Sequence, residues 1–349
     1  MAILKAFGRS PRGLDAAAYS NIPNYSRGKF SNLSETIMMA KDASFPKLLW
    51  RFITRPKNCF PESQLPSVQT NLQSPDLFNR EHPAIIWFGH SSYLIYIYGK
   101  TILVDPVFSG HASPFRFTTR SFSGADIYAV EDLPPIDILL ITHDHYDHLD
   151  WETVVKLKSR ASLICTSLGV RTHLEYWGWD KEIIRELSWN EKLQVNEEIS
   201  LMAMPARHFS GRGFARNKTL WSSFILNAGD FRIYIGGDSG YDSHFEEIGR
   251  LHGPFDIALL ECGQYNLDWP QIHMMPEQTV QAAVDLQARL LMPVHWGKFS
   301  LSLHPWNEPI RKATHEASRL GMPITTPKIG EPVKLGDNLP RTTWWEEFN

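Results

Sequence analysis

The sequence predicts an α/β protein, a four-layer α/β/β/α sandwich in which two sheets pack face to face beneath outer helices. Three observations predict it. From residue 84 onward, short apolar runs of strand length alternate with segments of helical period. Strand-rich and then helix-bearing segments recur in both halves of the chain. Residues able to bind metal fall just after the strand-like runs, where side chains emerge at a sheet edge.

At 349 residues, with 43% hydrophobic and 21% charged content, the chain is globular and long enough to bury a large core. Its net charge of −3 gives no electrostatic reason for a nucleic-acid or an anionic-membrane partner beyond a local patch, and no nucleic acid is expected. Cys59, Cys165 and Cys262 are odd in number and far apart, which argues against a disulfide framework or a Cys-based metal knuckle and fits a reducing compartment. Lys5, Arg9, Pro11, Arg12 and Asp15 interrupt the first twenty residues, so the apolar core of a signal peptide is missing. No later run of about 18 apolar residues appears. The expected location is cytoplasmic, with peripheral contact at the inner face of a membrane; a homo-oligomer is compatible with the sequence.

Residues 1–83, rich in Pro, Ser, Asn and basic side chains, read as an extension wrapping the core, with one helix-like island over 35–55. Residues 84–330 read as the folded domain and 331–349 as a tail. Runs at 84–88, 93–98 and 101–104 are strands, the last two joined by a tight turn at Gly99-Lys100. The apolar run 136–141 is a buried strand, and 151–160 a helix. The strand 162–166, a helical stretch 167–177 and alternating strands at 199–204, 220–226 and 231–235 follow. Mixed units close the domain: helices at 245–251, 277–286 and 309–320, strands at 257–261 and 290–294.

The loop between the 136–141 strand and the next helix reads Thr142-His143-Asp144-His145-Tyr146-Asp147-His148-Leu149-Asp150. Three imidazoles and a carboxylate (His143, His145, Asp147, His148) within six residues cost stability unless a cation neutralises and orients them. A structural zinc site is normally closed and rich in Cys, and no Cys lies near. A metal pair needs further donors. His208 follows the strand ending at 204, Asp238 follows two glycines after the strand ending at 235, and His295 ends the strand from 290. The set makes chemical sense as His143, His145 and His208 on one ion, Asp147, His148 and His295 on a second, and Asp238 bridging. Nitrogen and oxygen ligation of this kind favours two Zn2+, with Mn2+ or Fe2+ as alternatives.

With these residues in place, the chain resembles the metallo-β-lactamase fold hydrolases, whose His-x-His-x-Asp-His loop it matches without a gap. Within that superfamily it is similar to N-acylphosphatidylethanolamine-hydrolysing phospholipases D and their bacterial relatives. The likeness runs over 87–299 and includes Trp87-Phe88-Gly89-His90, Asp105-Pro106, Pro205-Ala206-Arg207-His208, the run 216–221, Gly237-Asp238-Ser239-Gly240-Tyr241, the run 245–249 and His295-Trp296-Gly297. The resemblance implies the four-layer metallo-β-lactamase sandwich. It also implies a binuclear phosphodiesterase of phospholipase D type, in which a metal-bridging hydroxide attacks phosphorus and yields phosphatidic acid and an N-acylethanolamine. His273, with Pro276-Glu277 after it, sits where that family has a His near its reaction centre, and it is the expected donor to the phosphoryl or leaving oxygen. Asp147 is expected to ligate metal and orient the hydroxide, and Asp105 to brace a ligand imidazole from behind. Asp144 and Asp150 are further bracing candidates, Asp150 equally a helix N-cap. Tyr146, Gln264 and Trp296 are expected to touch substrate.

The chain departs from the family over 263–273, which is shorter and carries Gln264, Asn266, Leu267 and Asp268, and at Lys298. Both departures bear on specificity rather than chemistry. Phe108, Phe115, Phe117, Trp269, Met274, Met275, Trp296 and Trp306 lie in loops expected near the site and would suit acyl chains. The expected partner is a phospholipid or another phosphodiester. The competing expectations are a hydrolase of a smaller phosphodiester or lactone on the same fold, a metal-holding protein without turnover, and a ribonuclease, the last disfavoured by the charge balance.

Overall fold

The computed structural model describes residues 2–80, 82–213, 215–337 and 339–348. The N-terminal segment contributes three short helices, α1 (Ala2–Ala6), α2 (Leu14–Ala17) and α3 (Phe45–Ile53), and a ladder of β1 (Tyr25–Ser26) with β2 (Lys29–Phe30). Of the helical island expected over 35–55, only α3 is helical. Pro46 is tolerated in its first turn, where no intrahelical N–H is needed, and Pro56 stands just past its end.

Two sheets follow. The first runs β15-β3-β4-β5-β6-β7-β8, from β3 (Ala84–Trp87), β4 (Tyr93–Ile97), β5 (Lys100–Val104), β6 (Ile136–Ile141), β7 (Ala161–Ser167), β8 (Ile184–Leu187) and β15 (Pro332–Lys334). The second runs β14-β13-β12-β11-β10-β9, from β9 (Lys192–Gln194), β10 (Ile199–Met204), β11 (Ser223–Ala228), β12 (Phe231–Ile235), β13 (Ile257–Glu261) and β14 (Leu291–Val294). Each sheet is antiparallel on one side and parallel on the other.

Alternation along each strand sets the layers. On β3, Ile85 and Trp87 join the core between the sheets with Phe224 and Leu226, whereas Ala84 and Ile86 face outward onto Val154, Leu157 and Leu174. The outer faces are covered by α4 (Trp151–Lys156) and α5 (Arg171–Tyr176) on the first sheet, and by α6 (His244–His252), α7 (Pro276–Asp285) and α8 (Glu308–Leu320) on the second. Strands buried on both faces read as mainly apolar runs, interrupted here by Asp137 in β6 and by the terminal Glu261 in β13, which is why β6 and β13 have the bounds their sequence predicts. The four-layer α/β/β/α sandwich is thus the observed architecture.

Three local differences have physical causes. The β4–β5 turn is Tyr98-Gly99, both with positive φ, because Ile97 pairs with Lys100. The strand expected at 220–226 begins three residues later, since Leu220 and Ser222 donate their N–H groups across to Leu168 and Thr142 of the first sheet's loops. The segment after residue 330 is bound into the core: β15 pairs with β3, and buried Trp344 stacks on Trp296 at 5.3 Å between ring centroids. Among the described residues, no helix is long and apolar enough to cross a membrane.

Candidate metal centre

The His-rich loop leaves the C-terminal end of β6, and three other strand ends converge on it. His208 arrives four residues past β10. Asp238 arrives past β12 through Gly237, whose φ is +59° and whose Cβ would meet the Ser222 carbonyl at 3.0 Å and Thr142 Cβ at 3.2 Å. Only glycine lets that turn sit so close to the loop. His295 follows β14 and is itself left-handed, with φ of 66°. His90, Asp105 and Gln264, near the centre, share this unusual backbone region.

The seven residues expected as ligands come together in buried space. His143, His145, His208 and Asp238 place one ligand atom each within 4.8 Å of one another, and so do His90, Asp147, His148 and His295. Asp238 stands between the groups. Its Oδ2 is 3.1 Å from His148 Nε2 and 3.7 Å from both His143 Nε2 and His208 Nε2, while its Oδ1 is 3.1 Å from His295 Nδ1. Several of these atoms are buried with no hydrogen-bond partner, namely His145 Nε2, His148 Nε2, His295 Nε2 and Asp238 Oδ1. Unpartnered buried donor atoms of this density are what a metal ion would satisfy.

The electrostatics agree. Burial holds the His143, His208 and His295 imidazoles well below their ordinary range, and so neutral. Burial would raise Asp147 and Asp238, yet the surrounding imidazoles, His148 first, hold both well below the usual carboxylate range. Burial likewise opposes charge on His148, but the Asp238, Asp147 and Asp105 carboxylates outweigh it and raise that imidazole. Neutral imidazoles and ionised carboxylates are the forms that bind metal, and the excess of carboxylate around His148 calls for positive charge.

A second layer fixes ring orientation. Asp105 Oδ2 accepts from His148 Nδ1 at 2.7 Å and from the Thr142 hydroxyl at 2.6 Å, while its Oδ1 accepts the Thr142 N–H. His208 Nδ1 donates to the Ile272 carbonyl, which turns Nε2 inward. Asp144 faces away and ties the loop to His173, Thr219 and the Gly211 N–H. Asp150 caps α4 by accepting from the Glu152 N–H.

Of two further participants, the sequence marks His90 only weakly and Glu261 not as a site residue. His90 Nε2 lies 2.9 Å from Asp147 Oδ2, fully buried; its only signal is a glycine before it in the Trp87-Phe88-Gly89-His90 run. Glu261, the last residue of β13 and fully buried, accepts from His273 Nδ1 at 2.5 Å and from the N–H groups of Ser239 and Met274. Burial would depress His273, but Glu261 raises it to about 9. A carboxylate at the end of an apolar strand was the available signal.

A cavity of about 390 Å³ opens onto His145, Asp147, His208, Asp238, His273 and His295. Gln264 lines it, although its side-chain amide is occupied by the carbonyls of His295 and Phe299 and the N–H of Leu301. Tyr146 and Trp296 do not line it, contrary to expectation. The Tyr146 hydroxyl donates to the Arg212 carbonyl and its ring borders a separate cavity of about 190 Å³, together with Phe115 and Phe117. Trp296 is 1% exposed among Trp87, Trp344 and Trp345. Trp306 is core as well, and Lys298 points away to the Phe88 and Val107 carbonyls and Asp126. Of the aromatic set expected near the site, Trp269 lines the cavity. The other apolar walls are Met38, Met39, Leu48, Leu49, Phe52, Phe209, Ile272 and Leu301, and one cation, Arg216, is among the lining residues.

Comparisons with known proteins agree with this geometry. The Beta-lactamase superfamily domain matches residues 100–296. The chain is 38% identical to an uncharacterised protein of Mycobacterium tuberculosis over 98% of this chain and 94% of that one. It is 30% identical to N-acyl-phosphatidylethanolamine-hydrolyzing phospholipase D 1 of Caenorhabditis elegans over 66% of this chain and 68% of the worm protein. Among solved structures, Igni18, a metallo hydrolase from the archaeon Ignicoccus hospitalis, covers 74% of this chain and 100% of its own, with a TM-score of 0.58 and 19% identity, a likeness of fold.

Proposed function

The chain belongs to the metallo-β-lactamase superfamily and is a metal-dependent hydrolase, and from that premise we propose a binuclear phosphodiesterase, a phospholipase D that cleaves N-acylphosphatidylethanolamine to phosphatidic acid and N-acylethanolamine. The observation that carries the reading is the cavity. It joins a crowded His/Asp centre to walls of Met, Leu, Phe and Trp, with Arg216 as a cationic side chain for a phosphate. An acyl chain suits such walls and a charged small ester does not.

His143, His145 and His208 would hold one zinc, Asp147, His148 and His295 a second, and Asp238 both. Bound divalent metal supplies Lewis acidity, lowering the pKa of water toward neutrality and offsetting phosphoryl charge. The chain's own residues do the rest. Asp105 and the Ile272 carbonyl set the tautomers of His148 and His208. His90 holds Asp147 from behind, which fixes the direction of its free oxygen. His273, charged by its contact with Glu261, presents Nε2 to the cavity as the donor to the phosphoryl or leaving oxygen. Trp269, Phe52 and the Met38-Met39 pair exclude water from the apolar part of the substrate.

The test is hydrolysis by the zinc-loaded protein, read by mass spectrometry, on N-acylated phosphatidylethanolamine, plain phosphatidylethanolamine and a small chromogenic phosphodiester. Release of N-acylethanolamine that falls at least about a thousandfold in Asp147→Asn is the expected result. Turnover of the small diester alone would keep the metal chemistry and remove the lipid. No turnover of any of the three would shift the assignment to a lactone or another ester.

A further inference from the structure

We propose that the outward face of α3 and the chain around it dock this protein on an anionic lipid bilayer, with the cavity mouth against the membrane. The use of this surface rests on the phospholipase reading; its existence does not.

The helix Phe45–Ile53 is apolar on two faces. Leu48 is buried and Phe52 half-buried, and both turn into the cavity wall. Leu49, Trp50 and Ile53, at i, i+1 and i+4, are 52%, 65% and 70% exposed. A helix with one face on a core ordinarily carries polar residues on the other, so a tryptophan and an isoleucine facing outward need an explanation. Neighbouring segments extend the patch. Ile37, Met39 and Leu267 are 44%, 40% and 77% exposed. They belong to one surface because the Ala40 N–H donates to the Asp268 carbonyl, Arg51 pairs with the Asp268 carboxylate at 2.6 Å, and the Ile37 N–H donates to Gln271. Met39 and Leu49 also line the cavity, so the patch is its rim.

The charge is as specific as the apolar face. Acidic residues outnumber basic ones 38 to 35 in the whole chain, yet residues 41–57 hold Lys41, Lys47, Arg51, Arg55 and Lys57 against Asp42; Arg51 is paired with Asp268 and Arg55 turns to the Ser300 carbonyl, which leaves the exposed Lys41, Lys47 and Lys57 to face outward. Lys47 and Arg51 sit one helical turn apart beside the exposed apolar residues. Tryptophan and isoleucine flanked by lysine and arginine make an interfacial helix, the apolar side chains entering the acyl boundary while the cations meet anionic headgroups. A second copy of this chain fits less well: a two-fold contact would set these basic residues against themselves.

The experiment uses the full chain and vesicles of phosphatidylcholine, alone or mixed with phosphatidylglycerol. Co-sedimentation with the mixed vesicles, weakened by salt and about tenfold or more weaker on pure phosphatidylcholine, is expected. Trp50→Asp/Ile53→Asp should lose this binding by about tenfold or more, and Lys47→Glu/Lys57→Glu should lose the preference for phosphatidylglycerol. Neither pair lines the cavity, so turnover of a soluble phosphodiester and the melting temperature should stay at wild-type values. Wild-type protein that stays in the supernatant, or a Trp50→Asp/Ile53→Asp variant that still sediments, overturns the proposal. So does a change of oligomeric state in that variant, which would make the patch a self-association face. Vesicle binding without turnover of any diester would sink the phosphodiesterase reading and leave the docking surface standing; turnover without binding does the reverse.

Discussion

The Glu261–His273 contact sets the chemistry expected of His273. A buried carboxylate 2.5 Å from Nδ1 favours the protonated ring and fixes its orientation, which leaves the Nε2–H as the donor on the cavity side. Glu261→Gln keeps the shape and the acceptor oxygen but removes the charge. We expect kcat to fall by about 10- to 100-fold with KM within about twofold, because the lost interaction acts on proton donation and not on binding; a rise in KM alone, in steady-state kinetics, would assign Glu261 a binding role. A second residue records its environment through pH. Burial pushes His244 down to about 4, in a pocket where Asp242 favours its charge and Arg207 opposes it. The unfolded chain protonates the same ring near 6.5. The stability from a neutral His244 is therefore complete above pH 6.5 and is lost as pH falls from 6.5 toward 4. That loss amounts to roughly 3 kcal/mol at most. Urea titrations across this window should show a shallower pH slope in His244→Gln than in wild type.

At the scale of elements, helices α6 and α7 meet at a glycine. A Cβ on Gly249 would lie 2.0 Å from the Asp285 carbonyl and 2.8 Å from Leu286 Cα, both backbone atoms that cannot swing aside. Gly249→Ala should then cost about 1–3 kcal/mol in equilibrium unfolding, although alanine is the better helix former. A neutral or stabilising effect would mean that the helices are free to separate. The elements most legible in the sequence were those buried on both faces. β6 and β13 are apolar apart from Asp137 and the terminal Glu261, and their bounds follow from composition. Short or half-exposed strands were not legible: β8, Ile-Arg-Glu-Leu, and β9, Lys-Leu-Gln, are ordered by pairing with neighbours distant in sequence. The extension showed the same limit. Its composition marked it as a wrapping segment, but nothing local says that Leu48 and Phe52 complete the wall of a cavity lined also by residues as distant in sequence as His145, His208 and His295.

For the whole molecule, the centre is held by strand ends from both sheets, so metal bound there ties the two halves together. Chelation should lower the melting temperature, by about 5 °C for each ion lost if the ion is present at about a thousandfold its dissociation constant. An unchanged melting temperature after exhaustive chelation, with metal content checked by mass spectrometry, would mean that the ligand set is not a binding site. The sequence by itself determined the sandwich, and it singled out His143, His145, Asp147, His148, His208, Asp238 and His295, with Asp105 behind them, as the side chains that converge. It could do so because ligand chemistry needs particular side chains and a strand end is the natural place to present them. Only the tertiary structure decided which aromatic residues face the cavity. It sent Trp296 and Trp306 into the core and Tyr146 to another cavity, and it brought Met38, Leu48 and Phe52 to the site instead. It also joined His90 to Asp147 and Glu261 to His273. The physical reason is common to all of these: an apolar or a lone polar side chain carries no record of its partner, which is chosen by long-range packing.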